Sequence, residues 1–187
     1  MKNIAVYCGA ASGNKDIFKQ SAIDLGHWIV KNDYGLTYGG GHFGLMGVIA
    51  DTVLKDNGYV HGIITETLNS RNLTHEKLSK LDIVDGMDTR KKLMLKDSIA
   101  SIALPGGPGT LEEISEAYSW SRIGDNNNPC IFYNVDHYYD ALKKFFDTMT
   151  ENGFLDVYAR KALLFSNSLD EIDSFISSYQ APPIRHF

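Results

Sequence analysis

Short apolar runs alternate with longer stretches of helical period along almost the whole chain, and this alternation most narrows the fold. Ile4 to Cys8, Gly35 to Tyr38, Val60 to Ile64, Asp82 to Val84, Ile99 to Leu104, Cys130 to Asn134 and Leu163 to Phe165 have strand length. Between the first two, Phe18, Ala22, Leu25 and Ile29 recur at spacings of four, three and four, so they share one face of a helix. Further helices are expected near Leu45 to Lys55, Asp88 to Lys96, Thr110 to Arg122, Tyr138 to Asn152 and Leu169 to Tyr179. Strands joined by helical crossovers run parallel, and a parallel sheet buries both faces, which suits apolar runs with little alternation. The expected class is α/β, a parallel sheet with helices on both faces.

The chain has 187 residues, 43% hydrophobic and 22% charged, enough for one domain spanning 1–187 with a sizeable core. No repeat or linker breaks it. A net charge of −5 argues against nucleic acid or an anionic membrane as the main partner, because both select basic faces. No apolar run approaches the roughly 20 residues of a membrane span, and the opening Met1 to Tyr7 reads as a strand rather than a leader. A soluble, cytoplasmic protein is the expectation. Cys8 and Cys130 lack metal or redox spacing and read as buried, reduced thiols. The six histidines have no paired metal spacing either, and Tyr118, Trp120, Tyr138 and Tyr139 read as core or interface.

Three glycine-bearing loops follow strands: Cys8 to Gly13, Gly39 to Gly47, and Pro105-Gly106-Gly107-Pro108-Gly109-Thr110. In an open parallel sheet such loops share one edge, so glycines from three strands line one crevice. The third joins a strand to a helix, where exposed backbone N–H groups and the positive end of the helix dipole hold an anion. Thr110 can add a hydroxyl or cap the helix. Glutamate repels phosphate, so Glu113, one turn into that helix, is placed to act on a ligand beyond its phosphate. Upstream, Met87-Asp88-Thr89-Arg90-Lys91-Lys92 opens a helix. Lys91 and Lys92 fit a solvated basic face, whereas the planar guanidinium of Arg90 suits a phosphate or a base edge.

Gly39, Gly41 and Gly44 also satisfy G-x-G-x-x-G, with Glu66 where a ribose-binding acid would stand, which makes an NAD(P)-dependent oxidoreductase a rival. The fingerprint lies in the second βα unit rather than the first, and the chain leaves no room for a separate substrate domain. The G-x-x-x-x-G-K-[ST] loop of nucleoside triphosphate hydrolases is absent.

Pro105 to Glu113 meets P-G-G-x-G-T-x-x-E in full and is accompanied by the Gly39 to Gly47 loop and by Arg90-Lys91. On these residues the chain resembles the LONELY GUY family, the cytokinin riboside 5'-monophosphate phosphoribohydrolases, also labelled lysine decarboxylases. The resemblance spans most of the chain. It implies a Rossmann-like doubly wound sheet, a homodimer, and cleavage of the N-glycosidic bond of a purine nucleoside 5'-monophosphate to free base and ribose 5-phosphate. It makes Arg90 and Glu113 the catalytic pair and implies neither metal nor cofactor. Gly106, Gly107, Gly109 and Thr110 are then expected to hold the phosphate. Gly9, Ser12, Gly40 and Gly41 would line the rest of the crevice, and Met87 and Lys91 complete the substrate-binding set. Two positions depart from the family pattern: Ala10-Ala11 leave Ser12 as the lone hydroxyl of the first loop, and Thr65 stands where a proline is common, which leaves the path of Thr65 to Leu78 open. The decarboxylase label does not suit the chemistry, which commonly uses pyridoxal phosphate as an electron sink, and no lysine stands out as its Schiff-base partner. A non-catalytic nucleotide carrier remains the other alternative, using the same loops with no need of Glu113.

Overall fold

The computed structural model describes residues 1–184. Its elements in chain order begin with β1 (Lys2–Tyr7), α1 (Asp16–Lys31), β2 (Tyr34–Tyr38), α2 (Gly44–Lys55), β3 (Val60–Thr65), the short α3 (Glu66–Asn69) and β4 (Lys80–Val84). They continue with α4 (Met87–Lys96), β5 (Ser98–Ala103), α5 (Pro108–Ser121), β6 (Cys130–Tyr133), α6 (Asp140–Glu151), α7 (Val157–Lys161), β7 (Leu163–Ser166) and α8 (Leu169–Ser178). All seven strands are parallel in the order β4-β3-β2-β1-β5-β6-β7. The order reverses between β1 and β5, and there the loops leaving their carboxyl ends part to open a crevice.

Side chains of β1 divide between two cores. Ile4 and Val6 join α1, α2 and α8 on one face, packing with Leu25, Ile29 and Ile49. Ala5 and Tyr7 join the other face with Met94, Ile114, Phe132 and Phe146 from α4, α5, β6 and α6. Helix α1 shows how pattern becomes packing: Phe18, Ala22, Leu25 and Ile29 are all buried, as their spacing predicts. Fully burying each of the larger three stabilises by roughly 1.5–3 kcal/mol before entropy is counted. Both cysteines are buried and free, and burial pushes the Cys130 thiol up to about 12.

The structure differs from the sequence expectation at two helices and supplies one path that the sequence left open. The helix expected from Tyr138 begins instead at Asp140, because Tyr139 at φ −101° and ψ 11° lies outside the helical region; Asp136 and His137, with positive φ of 52° and 59°, form the turn before it. Thr65 caps α3 through its hydroxyl, which accepts from Leu68 N–H; the chain then runs irregularly to Lys80, with a single bridge between Gly41 and Thr74. Helix α7 was not anticipated, although Asp156 before it is an ordinary N-cap whose carboxylate accepts from Ala159 N–H at 2.7 Å.

A polar knot lies toward the amino ends of β3 and β5. His61, 1% exposed, sets Nδ1 2.7 Å from Asp97 and Nε2 2.9 Å from Asp82. Asn3 and Thr37 each donate to the same Asp97 oxygen at 2.7 Å. Burial pushes the Asp97 carboxyl up, but these donors from β1, β2 and β3 outweigh it and hold it below the ordinary range.

Candidate active site

The crevice is a cavity of about 590 Å³ between the loops after β1, β2 and β5. The loops brace one another: Gly9 N–H donates to Pro105 O at 3.2 Å, and Leu45 N–H donates to Gly9 O at 3.0 Å. Gly107 serves as the N-cap of α5 without a side-chain cap, and Pro108 supplies the first helical position. Thr110 therefore does not cap the helix; it is 4% exposed at the crevice floor. A Cβ built on Gly107 or Gly109 would meet nothing within 4 Å, so the backbone of this turn lies open to an approaching anion.

Arg90 comes from the first turn of α4 and is 7% exposed. Its Nε donates to Ile63 O at 2.8 Å, and its Nη1 lies 3.1 Å from Glu113 Oε1. The β3 carbonyl thus locks the guanidinium so that it meets the carboxylate. Glu113, 9% exposed, reaches the crevice from α5. Burial pushes its carboxyl above the ordinary range. Arg90 pulls down without cancelling that push, and Glu112 adds to it. The pair combines a fixed cation with a carboxylate of raised basicity beside an open phosphate-type loop, which fits glycoside cleavage or water activation.

Most of the expected set lines this cavity: Gly9, Ser12, Gly41 and Met87 on two sides, with Gly106, Gly107, Gly109 and Thr110 on a third. Two residues stand elsewhere. Gly40 takes φ +75°, turns behind the wall and accepts from His75 N–H at 2.9 Å, so its glycine serves the turn. Lys91 points away; its ammonium lies 2.5 Å from Glu112 and 2.8 Å from Glu116 with the side chain 8% exposed, so it is neither solvated nor on the crevice wall. Burial lowers the Lys91 pKa, but those two carboxylates outweigh it and hold it above the ordinary lysine range.

The G-x-G-x-x-G glycines have other occupants. A Cβ on Gly39 would stand 2.0 Å from Arg90 Nη2, and one on Gly41 would stand 2.8 Å from the Met46 methyl. That space belongs to the chain's own side chains rather than to a pyrophosphate, which weakens the oxidoreductase reading. Sequence reasoning missed Tyr138, which lines the crevice instead of the core, and the apolar wall of Met46, Ile64, Leu68 and Leu73. Dispersed positions on α2, β3, α3 and the loop after α3 build that wall, so no local motif signals it.

Residues 46–174 match the family described as Possible lysine decarboxylase. Over 178 residues the chain is 40% identical to cytokinin riboside 5'-monophosphate phosphoribohydrolase LOG1 of Arabidopsis thaliana, covering 95% of this chain and 84% of that protein. The chain belongs to the LONELY GUY family. Its likeness to the LONELY GUY protein LOG7 of the same plant is 37% over 179 residues, covering 96% and 82%. Two solved structures share the fold at lower identity. The molybdenum cofactor binding protein of Rippkaea orientalis has TM-score 0.71 and 20% identity, covering 95% of this chain and 97% of that one. The Moco carrier protein of Chlamydomonas reinhardtii has TM-score 0.71 and 15% identity, covering 96% and 100%. At such identities they establish the Rossmann-like arrangement alone. Among the described residues no helix is long and apolar enough to cross a membrane.

Proposed function

We propose that this protein hydrolyses the N-glycosidic bond of a purine nucleoside 5'-monophosphate, the cytokinin-type N6-modified adenosine monophosphates among them, releasing free base and ribose 5-phosphate. The observation that carries the reading is the Arg90–Glu113 pair, 3.1 Å apart, one helical turn from an uncapped glycine turn. The open N–H groups at Gly107, Gly109 and Thr110 hold the 5'-phosphate. As the C1'–N9 bond breaks, its electrons leave with the base and the ribose becomes oxocarbenium-like. Glu113, ionised, stabilises that cation and takes a proton from the attacking water, whose hydroxyl goes to C1'; the departing base takes up a proton from solvent, and Glu113 returns its own to solvent. Arg90 holds the carboxylate in place and neutralises charge on the departing base. The apolar wall of Met46, Ile64, Leu68 and Leu73 supports a substrate with an apolar N6 substituent. A carrier would give the buried Arg90–Glu113 pair no work. A cytoplasmic homodimer belongs to the same proposal.

The test incubates purified protein with N6-isopentenyladenosine 5'-monophosphate and with the matching nucleoside, following base release. Turnover of the monophosphate alone is expected. Equal rates on both would remove the phosphate-anchor reading, and no release from either would favour a carrier.

A further inference from the structure

Three successive carbonyls of the phosphate-type turn are drawn into the protein. Leu104 O accepts from the Tyr139 hydroxyl at 2.7 Å, Pro105 O from Gly9 N–H at 3.2 Å, and Gly106 O from the Tyr138 hydroxyl at 2.7 Å. The next, Gly107 O, accepts from Leu111 N–H at 3.2 Å within α5. A carbonyl oxygen facing the crevice would repel an anion. In a trans peptide the C=O and the following N–H point in opposite directions, so turning Gly106 O toward Tyr138 aims Gly107 N–H the other way. That N–H has no protein acceptor among the described residues, and nothing stands where a Gly107 Cβ would be.

Of the two tyrosines, Tyr139 is buried and satisfies a strand end, as a core residue does. Tyr138 is different: it is 45% exposed on the crevice wall and held from several sides. Its ring packs edge-on against Phe18 at 5.6 Å and against Tyr139 at 4.9 Å. It hangs from a turn in which Asp136 and His137 both lie in the left-handed region, a conformation non-glycine residues avoid unless the surroundings impose it. Here Lys15, from the loop after β1, pairs with Asp136, and Asn134 accepts from Tyr139 N–H at 2.6 Å while donating to Asp140 at 2.7 Å. Strain of this kind gathers where geometry serves a site.

We propose that Tyr138 is a positioning residue that orients the phosphate-binding turn, its hydroxyl holding the Gly106 carbonyl away from the crevice so that Gly107 N–H faces the ligand phosphate. The hydroxyl has one proton, given to Gly106 O, so it offers an anion only lone pairs and does not bind phosphate itself. The assignment rests on the reading that this turn holds the 5'-phosphate.

Ribose 5-phosphate, inert to the reaction, is the probe. Titration calorimetry on the full chain compares it with ribose, and compares wild type with Tyr138→Phe, which keeps the ring packing. Wild type should bind ribose 5-phosphate well above ribose, and the variant should bind it about threefold to tenfold more weakly, the scale of one hydrogen bond. KM for the nucleoside monophosphate should rise by the same factor, with kcat and adenine affinity unmoved. Unchanged ribose 5-phosphate affinity in Tyr138→Phe would overturn the assignment, as would an equal loss of adenine affinity, the mark of general loosening. Wild type binding ribose no worse than ribose 5-phosphate would instead overturn the phosphate reading beneath it.

Discussion

Glu112 and Glu113 are sequence neighbours with opposite surroundings. Their side chains are 50% and 10% exposed, because successive helical positions turn by about 100°. Glu112 sits at the crevice mouth and pairs with Lys91, whereas Glu113 lies inside with Arg90. Glu113→Gln should therefore lose about a hundredfold or more in kcat, the scale of a general base or charge stabiliser, while keeping ribose 5-phosphate affinity. Calorimetry beside steady-state rates checks both. A carboxyl raised on folding favours the fold below its unfolded pKa, a contribution lost as pH rises through the folded value, so the variant should not be less stable at neutral pH. Because Glu112 adds to that rise, Glu112→Gln should stay active and move the acid limb of kcat/KM to lower pH. A limb left in place would separate Glu113 from the titration.

Gly39 gives a second test at this scale. Its missing Cβ makes room for Arg90 Nη2, so Gly39→Ala pushes the guanidinium off Glu113 without touching the phosphate turn. A displacement near 1 Å costs as much as about a hundredfold in rate. Activity should fall toward that extent while ribose 5-phosphate still binds. Full activity would show that Arg90 has room to spare.

Among elements, the strands and long helices were legible because apolar period and length agree, as in α1 and β1. The turn before α6 was not, since nothing in Val135-Asp136-His137 announces two left-handed residues; the pairing of Asp136 with Lys15, far off in the chain, helps impose them. The His61 knot was equally hidden, its members spread over β1, β2, β3, β4 and the end of α4. Asp97→Asn keeps the size but weakens the acceptor for three donors, so urea unfolding at neutral pH should show a loss of about 1–3 kcal/mol. Asp97 has its folded pKa below the ordinary 3.8, so its contribution is present above that value and fades as pH falls through the folded one. The gap between wild type and variant should close only in that acid window. A gap independent of pH would mean that the charge on Asp97 is not what the knot uses.

For the molecule as a whole, the edge strand β4 leaves Leu81 and Ile83 exposed, with exposed Met87 opening α4 beside them. An apolar, unpaired edge is a surface that chains cover. Sedimentation velocity at micromolar concentration is expected to show a dimer, and substituting Ile83 by Lys to shift it toward monomer. A wild-type monomer would remove the dimer from the proposal. The sequence alone determined the α/β class, the three glycine loops on one edge and Glu113 as the acid to watch, because these follow from local period and from a contiguous motif. Which glycines face the ligand, the burial that sets the basicity of Glu113, the withdrawal of Lys91 onto Glu112 and Glu116, and the place of Tyr138 were decided by tertiary structure. Each depends on atoms brought together from distant strands, and chain spacing carries no record of such distances.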